Sequence, residues 1–350
     1  MDVGLVGLPS CGKTTLFNAL TGQQAAGFGD KPHVGMANIP DPRLEKIAQF
    51  IPPEKIIPAT IRLVDIPGVP PGSDAKKISG FLEHVRQVDT VCQVVRCFDD
   101  GMGIDVPGDI DKMETELILA DLVVAEGAQN KAARTARTGD KDAKERVAVL
   151  ESVSVLLDEG TPIRLKGDWS ESEQKILRSY GFISAKPVLY VANVAEDDLD
   201  GKSEHAAAVR DHAQASGGQS VSVCTKLESE LSELDPADRL EMLESMGLSE
   251  PAIGPLARAA MILLGLSNFY TAGEKEVRSW AIHAGASARE AAGAIHSDIE
   301  RGFIRAECYG LDDLIQYKTE KAIRDAGKLR SEGKNYTMQD GDIVHFLFNV

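Results

Sequence analysis

The sequence predicts an α/β fold: a phosphate-loop domain with a doubly wound, mainly parallel sheet, an inserted antiparallel helical arm, and a small α+β domain at the end. Three observations carry this. A glycine-rich turn joins a strand to a helix at the N-terminus. Apolar, β-branched runs recur with helical stretches between them, the pattern of a buried parallel sheet. The helical excursion between Phe98 and Pro187 is far longer than a normal strand-to-strand crossover.

Taken in order, Val3 to Val6 is a short apolar strand, Gly7 to Gly12 a tight loop, and Lys13 to Leu20 a helix with Leu16, Phe17 and Leu20 at helical spacing. Ile61 to Val64 and Val91 to Phe98 read as buried strands, as do Pro187 to Ala192 and Val221 to Cys224. In the excursion, Met113 to Ala136 is rich in helix formers, with an apolar face through Leu117, Leu119, Leu122, Val123 and Ala133. Thr138-Gly139-Asp140 reads as a turn and helix start, and a second helix runs to about Asp158, where Gly160 ends it. Two such helices predict an antiparallel hairpin. Beyond Leu266, Trp280 to Ile282 and Ile343 to Phe348 look like strands around a helix from Ala288 to Ile295. The expected division is therefore 1–110 and 185–265 for the sheet domain, 111–184 for the arm, and 266–350 for the last domain.

Composition narrows the class. The 350 residues are 43% apolar and 26% charged, ordinary globular usage that excludes wholesale disorder. No apolar run reaches the ~18 residues of a membrane span, so no membrane association is expected. The N-terminus lacks the basic start and cleavage site of a signal peptide. Five cysteines without metal-ligand spacing fit a reducing cytosol, and a cytoplasmic protein is expected. Thirty-eight basic against 54 acidic residues give a charge of −16, which argues against a protein that coats nucleic acid over its whole surface.

The strongest chemical signal is Gly7-Leu8-Pro9-Ser10-Cys11-Gly12-Lys13-Thr14, a G-x-x-x-x-G-K-[ST] loop lying between a strand and a helix. Glycines let backbone N–H groups turn inward around phosphates, at a helix N-terminus whose dipole favours anions. Ser10, Cys11, Gly12, Lys13, Thr14 and Thr15 are the expected nucleotide-binding residues here. Lys13 serves the β- and γ-phosphates, and the Thr14 hydroxyl serves Mg²⁺. Asp65-Ile66-Pro67-Gly68 follows a strand end; Asp65 is the second expected Mg²⁺ group, and the Gly68 N–H is placed to sense a γ-phosphate. Lys13, Asp65 and Gly68 are the expected catalytic groups.

Asn193-Val194-Ala195-Glu196 is the base-recognition candidate, with Val223-Cys224-Thr225-Lys226 closing the other side, and Asn193, Val194, Glu196, Cys224 and Thr225 are the expected nucleotide-binding residues there. Where GTPases carry N-K-x-D, this chain has Val194 for the lysine and Glu196 for the aspartate. The longer carboxylate does not reproduce the paired contact to guanine, and an unpartnered buried polar group costs about 1–3 kcal/mol, which leans toward adenine. Cys92 and Cys97 read as small buried residues of a strand. Cys11 sits at a helix N-terminus, where a thiol pKa is open to lowering, although packing is the better reading.

These residues resemble the YchF-type, Obg-related ATPases of the translation-factor class. The matching stretches are Gly7 to Gly22 (GLPSCGKTTLFNALTG), Pro40 to Leu44 (PDPRL), Val94 to Phe98 (VVRCF), Thr115 to Asp121 (TELILAD) and Ala185 to Val194 (AKPVLYVANV). Thr271 to Trp280 (TAGEKEVRSW), Ala294 to Glu307 (AIHSDIERGFIRAE) and Lys334 to Val350 continue the match to the C-terminus. The resemblance implies a G domain, a helical arm, a ubiquitin-like TGS domain, ATP preferred over GTP, slow hydrolysis with Mg²⁺, and nucleotide-dependent association with ribosomes by a monomer.

The chain also departs from the family. Nothing between Gly22 and Thr60 is Ser or Thr, so the usual second hydroxyl ligand of the metal is missing. The stretch after Gly68 is only Val69-Pro70-Pro71-Gly72-Ser73, shorter than the family's usual glycine-rich one, and Asp105 aligns with a histidine used by some members. Val69 stands where water-positioning GTPases carry Gln, an apolar residue there being usual for the family. A GTPase of the same fold and a nucleotide-binding adaptor with negligible hydrolysis stay open as alternatives. The expected arm tip carries Lys131, Arg134, Arg137, Lys141, Lys144 and Arg146 against Glu126, Asp140, Asp142 and Glu145. A solvated face and an RNA-contacting tip both fit that pattern.

Overall fold

The computed structural model describes residues 1–25, 31–68, 75–101, 103–137 and 139–349. The chain forms two compact units, Met1–Met36 with Arg62–Pro255, and Ala37–Ile61 with Leu256–Val350. Strands in chain order are β1 (Asp2–Val6), β2 (His33–Asn38), β3 (Lys55–Ile57), β4 (Thr60–Asp65), β5 (Thr90–Cys97), β6 (Val188–Val194) and β7 (Gln219–Val223). They continue as β8 (Leu266–Ala272), β9 (Glu276–His283), β10 (Phe303–Tyr309), β11 (Arg330–Glu332) and β12 (Ile343–Phe348). No helix among the described residues is long and apolar enough to cross a membrane.

The first sheet has the order β2-β4-β1-β5-β6-β7, with β1 paired in parallel to both β4 and β5, and β5, β6 and β7 following in parallel. Its inner strands are buried on both faces: β6 is buried throughout, and Val3, Leu5 and Val6 of β1 are sealed. Parallel pairing sends the C-terminal ends of β1, β4, β6 and β7 to one edge, so the loops after them share a single rim. The expected sheet strands are all present.

The helices beside it begin with α1 (Lys13–Thr21), α2 (Pro42–Phe50) and α3 (Ala75–Gln87). Then come α4 (Val106–Ala136) and α5 (Lys141–Asp158), the two helices of the arm. Helix α4 starts seven residues before the expected Met113, because Asp105 caps it through Gly108 N and Pro107 opens the first turn. Its early residues Val106, Ile110 and Met113 belong to the core beneath the sheet, and its later Ala125, Ala128 and Ala132 pack with Val149, Leu150 and Val153 of α5. Small residues on that face let the two helices approach closely. Thr138 of the predicted turn lies outside the described residues; Asp140 caps α5 through Ala143 N.

A third helix, α6 (Glu171–Tyr180), went unread in the sequence; Ser170 and Glu173 form a capping box at its start, and Leu177 joins the arm core. Two carboxylates, Asp121 fully buried and Glu114 partly buried, fasten the arm to the strand that returns. Asp121 accepts hydrogen bonds from Ile183 N at 3.0 Å and from Ser184 N and Oγ at 2.7 Å. Glu114 accepts one from the Tyr190 hydroxyl at 2.6 Å and pairs with Arg164.

The second unit is a sheet of order β11-β10-β12-β8-β9-β3, antiparallel except for β12–β8 and β3–β9. Ala288, Ala291 and Ala292 of the expected helix seat against Phe269 and Phe346. Residues 37–61 fall in this unit, a correction to the expected 1–110 domain. The reason is local: β3 adds to the edge of β9, and Leu44 and Ile47 of α2 are buried with Tyr270, Val277 and Ile343. Within the Pro40–Leu44 motif, Asp41 caps α2 and accepts a hydrogen bond from the Tyr270 hydroxyl, while Arg43 pairs with Asp340 at 2.7 Å.

Candidate functional site

Between β1 and α1 the chain turns through conformations that favour glycine. Gly7 has φ +148° and a Cβ there would lie 2.5 Å from the Val94 carbonyl oxygen; Gly12 has φ +98° and caps α1 without a side chain to cover the first-turn N–H groups. Ser10, exposed, also takes a positive φ of 63°. Leu16 and Phe17, both fully buried, hold α1 on the sheet, and Thr15 is exposed beside the loop.

Lys13 is only 7% exposed, and its Nζ donates to the carbonyl oxygens of Gly7 and Leu8 at 2.9 Å each. Gly68 lies directly against it: a Cβ at Gly68 would be 3.3 Å from that Nζ. The Asp-x-x-Gly turn and the phosphate loop are thus packed against each other. Val69 to Ser73 lie outside the described residues.

Asp65, at the end of β4, accepts a hydrogen bond from the Thr14 hydroxyl at 2.8 Å on Oδ2, while its buried Oδ1 has no partner. Burial raises its pKa, opposed by the Thr14 hydrogen bond and by the charges of Lys13 and His33. A hydroxyl beside a carboxylate with one orphaned oxygen is a hard-oxygen donor set of the kind Mg²⁺ selects, so these residues fit the ion. His33, which the sequence did not single out, is drawn to the site by the pairing of β2 beside β4.

On the other side of the phosphate loop, Asn193 is almost fully buried and ties three loops together. Its Nδ2 donates to the Cys11 carbonyl at 2.9 Å, and its Oδ1 accepts from Thr225 N at 3.1 Å. Val194 faces inward and packs in the core rather than toward the rim. Cys224 is likewise buried in that core, and burial pushes its thiol up. Glu196, about half exposed, pairs at 3.0 Å with Lys226, the last residue of the Val223–Lys226 stretch expected to close this side.

Other candidates resolve into structure. The Cys11 thiol is pushed up by burial, with Lys13 only partly opposing, so packing outweighs the helix dipole there. Cys92 and Cys97 are buried strand residues. Asp105 is exposed and serves as the cap of α4. The six basic residues of the arm tip are all exposed.

A mainly parallel sheet carrying a phosphate loop, an Asp-x-x-Gly turn and a loop anchored by Asn193 on one rim defines a GTPase-like P-loop nucleotide-binding protein. Two family models agree: one described as a 50S ribosome-binding GTPase over residues 2–129, the other named YchF-GTPase_C, a protein of unknown function, over residues 266–349. The chain belongs to the YchF family. It is 42% identical to the ribosome-binding ATPase YchF of Pasteurella multocida over 99% of both chains, and 39% identical to that of Bacillus subtilis over the full length of both. The structure of the Schizosaccharomyces pombe YchF GTPase superposes with a TM-score of 0.86 at 31% identity, covering 99% of this chain and 97% of the other.

Proposed function

We propose that this protein binds ATP with Mg²⁺, prefers it to GTP, hydrolyses it slowly, and associates with ribosomes according to its nucleotide state. The observation that carries the reading is the meeting of Lys13, Thr14, Asp65 and Gly68 at one rim, joined to the base loop through Asn193. In this reading Lys13 neutralises the β/γ-phosphates as a point charge, and the first-turn N–H groups of α1 orient them. Thr14 and Asp65 hold Mg²⁺, which supplies charge stabilisation when bound. Gly68, without a side chain, lets its N–H approach the terminal phosphate.

Slow turnover follows from what the site offers. Asp105, aligned with a histidine of some relatives, is committed to capping α4, and Val69 has no group to orient water. Turnover of the isolated protein is therefore expected well below the ~1 s⁻¹ floor of typical enzymes.

The relatives carry both nucleotide names, ATPase and GTPase. Glu196 in place of aspartate favours ATP. Calorimetry with ATP and GTP is the test, and a tenfold preference for GTP, about 1.4 kcal/mol, would overturn the assignment. The adaptor reading draws on the absence of Ser and Thr between Gly22 and Thr60. Single-turnover hydrolysis with and without ribosomes separates it from the enzyme: no product in either condition favours the adaptor.

For the partner, two local surfaces are candidates in a chain of charge −16, the C-terminal domain beyond Leu266 and the exposed arm tip. Six basic against four acidic residues gather there. Alanine at Arg134, Arg137 and Lys141 together should weaken ribosome co-sedimentation and flatten its salt dependence, because fewer counterions are released. A monomer acting in the cytoplasm completes the reading.

A further inference from the structure

We infer that Lys226 is a positioning residue that sets base specificity, by holding the Glu196 carboxylate toward the 6-amino edge of a purine. The inference rests on the reading above, in which the Asn193–Glu196 loop receives the base.

The geometry joins two neighbouring loops. Strands β6 and β7 are adjacent and parallel, with Asn193 opposite Val223. Glu196 leaves the end of β6, Lys226 follows the end of β7, and their side chains meet at 3.0 Å. One residue before Lys226, the Thr225 N–H is already fixed to the Asn193 side chain. The ion pair is thus the outer rung of a ladder whose inner rung is the Asn193 clamp.

Stability does not account for this pair. Lys226 is the second residue of the helix Thr225–Glu233 and is 69% exposed in its side chain. A cation in the first turn opposes the helix dipole, and an ion pair this open to water contributes little. What it does accomplish is orientation: a glutamate side chain has several rotamers, and the lysine selects one. The raised pKa of Lys226 has the same origin, its hydrogen bond to Glu196 and the attraction between the two charges.

Position 6 of the purine is where the chemistry differs. Adenine presents an amino donor there, guanine and hypoxanthine a carbonyl acceptor. The pair engages Oε1 of Glu196, which leaves the second carboxylate oxygen to accept from an amino group. The same oxygen repels a carbonyl. Lys226 released from Glu196 would act in the opposite sense, donating to the 6-carbonyl. Pairing therefore suppresses a guanine-favouring cation while it aims an adenine-favouring acceptor.

The test uses the full-length protein, with ATP, GTP and ITP titrated by calorimetry; ITP keeps the 6-carbonyl and lacks the 2-amino group. Lys226→Met should weaken ATP about three- to tenfold, the scale of one lost hydrogen-bond contribution. It should leave ITP affinity unchanged, so that the ATP-to-ITP selectivity falls by the same factor, and leave tripolyphosphate affinity as it was, with no change in melting temperature. Lys226→Arg should retain the selectivity. Glu196→Ala, with Lys226 freed, should lose ATP preference and gain affinity for ITP. Unchanged ATP-to-ITP selectivity in Lys226→Met, with selectivity lost in Glu196→Ala, overturns the role of the lysine alone. Selectivity unchanged in Glu196→Ala overturns the underlying base assignment.

Discussion

The Thr14 hydroxyl donates a 2.8 Å hydrogen bond to Oδ2 of Asp65, joining the first turn of α1 to the end of β4. The other oxygen of the same carboxylate is buried and unpartnered. A buried carboxylate left half satisfied is costly, so a cation at this place would relieve the strain that burial puts on Asp65.

The first prediction concerns that pair. Thr14→Ala and Asp65→Asn should each reduce magnesium-dependent ATP hydrolysis roughly ten- to hundredfold, the range of about 1–3 kcal/mol for a lost ligand or charge-assisted bond. Nucleotide binding in EDTA should change less. A magnesium titration of ATP turnover reads both, and variants with wild-type magnesium dependence would exclude these residues as ligands.

Lys13 gives the second. It is the cation packed against Gly68 and the loop carbonyls, and its ammonium is held by two 2.9 Å hydrogen bonds. Lys13→Ala removes the point charge facing the β/γ-phosphates, and ATP affinity should fall at least tenfold, consistent with about 1.5–3 kcal/mol for a charged hydrogen bond. Equilibrium binding of a fluorescent ATP analogue checks it. Near wild-type affinity would sink the phosphate-loop assignment.

Gly12 supplies a steric prediction. Its φ is +98°, and a Cβ would stand 2.2 Å from Asn193 Nδ2 and 3.0 Å from the Thr225 hydroxyl. Gly12→Ala should push Asn193 off the Cys11 carbonyl and cripple nucleotide binding, while Gly22→Ala, where a Cβ meets nothing within 4 Å, should leave it intact apart from backbone strain. Calorimetry on the two variants side by side distinguishes local strain from damage to the clamp.

Much of this was legible because the relevant signals are local. The phosphate loop needs glycines at fixed offsets, and the buried strands need continuous apolar runs, so both show in the sequence. The Asp65 turn lay at a strand end and was readable for the same reason. What escaped depended on pairing across the chain. Residues 37–61 join the second unit because β3 pairs with β9 and Tyr270 meets Asp41, contacts between segments far apart in sequence. Val194 looked like a base-loop residue, yet its place at the end of β6 turns it into the core. Lys226 was legible as part of the Val223–Lys226 stretch, but its pairing with Glu196 joins two loops and shows only in the fold. The early start of α4 was hidden because the same helix serves two cores, the sheet's and the arm's.

The last prediction concerns how the arm is held. Glu114 on α4 accepts a hydrogen bond from the Tyr190 hydroxyl on β6, pairs with Arg164, and lies 3.5 Å from Nε2 of His212. Burial raises a carboxyl pKa, but here the His212 hydrogen bond, the Arg164 charge and the Tyr190 hydrogen bond together overcome it and bring Glu114 down to about 2. A carboxylate depressed in the folded state adds stability that is fully present above its ordinary pKa of 4.5 and fades as pH falls toward 2. Glu114→Gln keeps an oxygen for Tyr190 and removes the charge facing Arg164, which is then buried without its partner. Breaking a pair of this kind costs about 3–5 kcal/mol, and the partial exposure of His212 and Glu114 argues for the lower end. Thermal unfolding at pH 7 should therefore occur about 6–12 °C lower, using roughly 2–4 °C per kcal/mol for a domain of this size. The gap between variant and parent should narrow from pH 4.5 downward and close only below about pH 2, where protonation removes the same charge from the folded parent. A difference that stays constant from pH 7 to pH 2 would show that packing, not the ionised carboxylate, fastens the arm at this position.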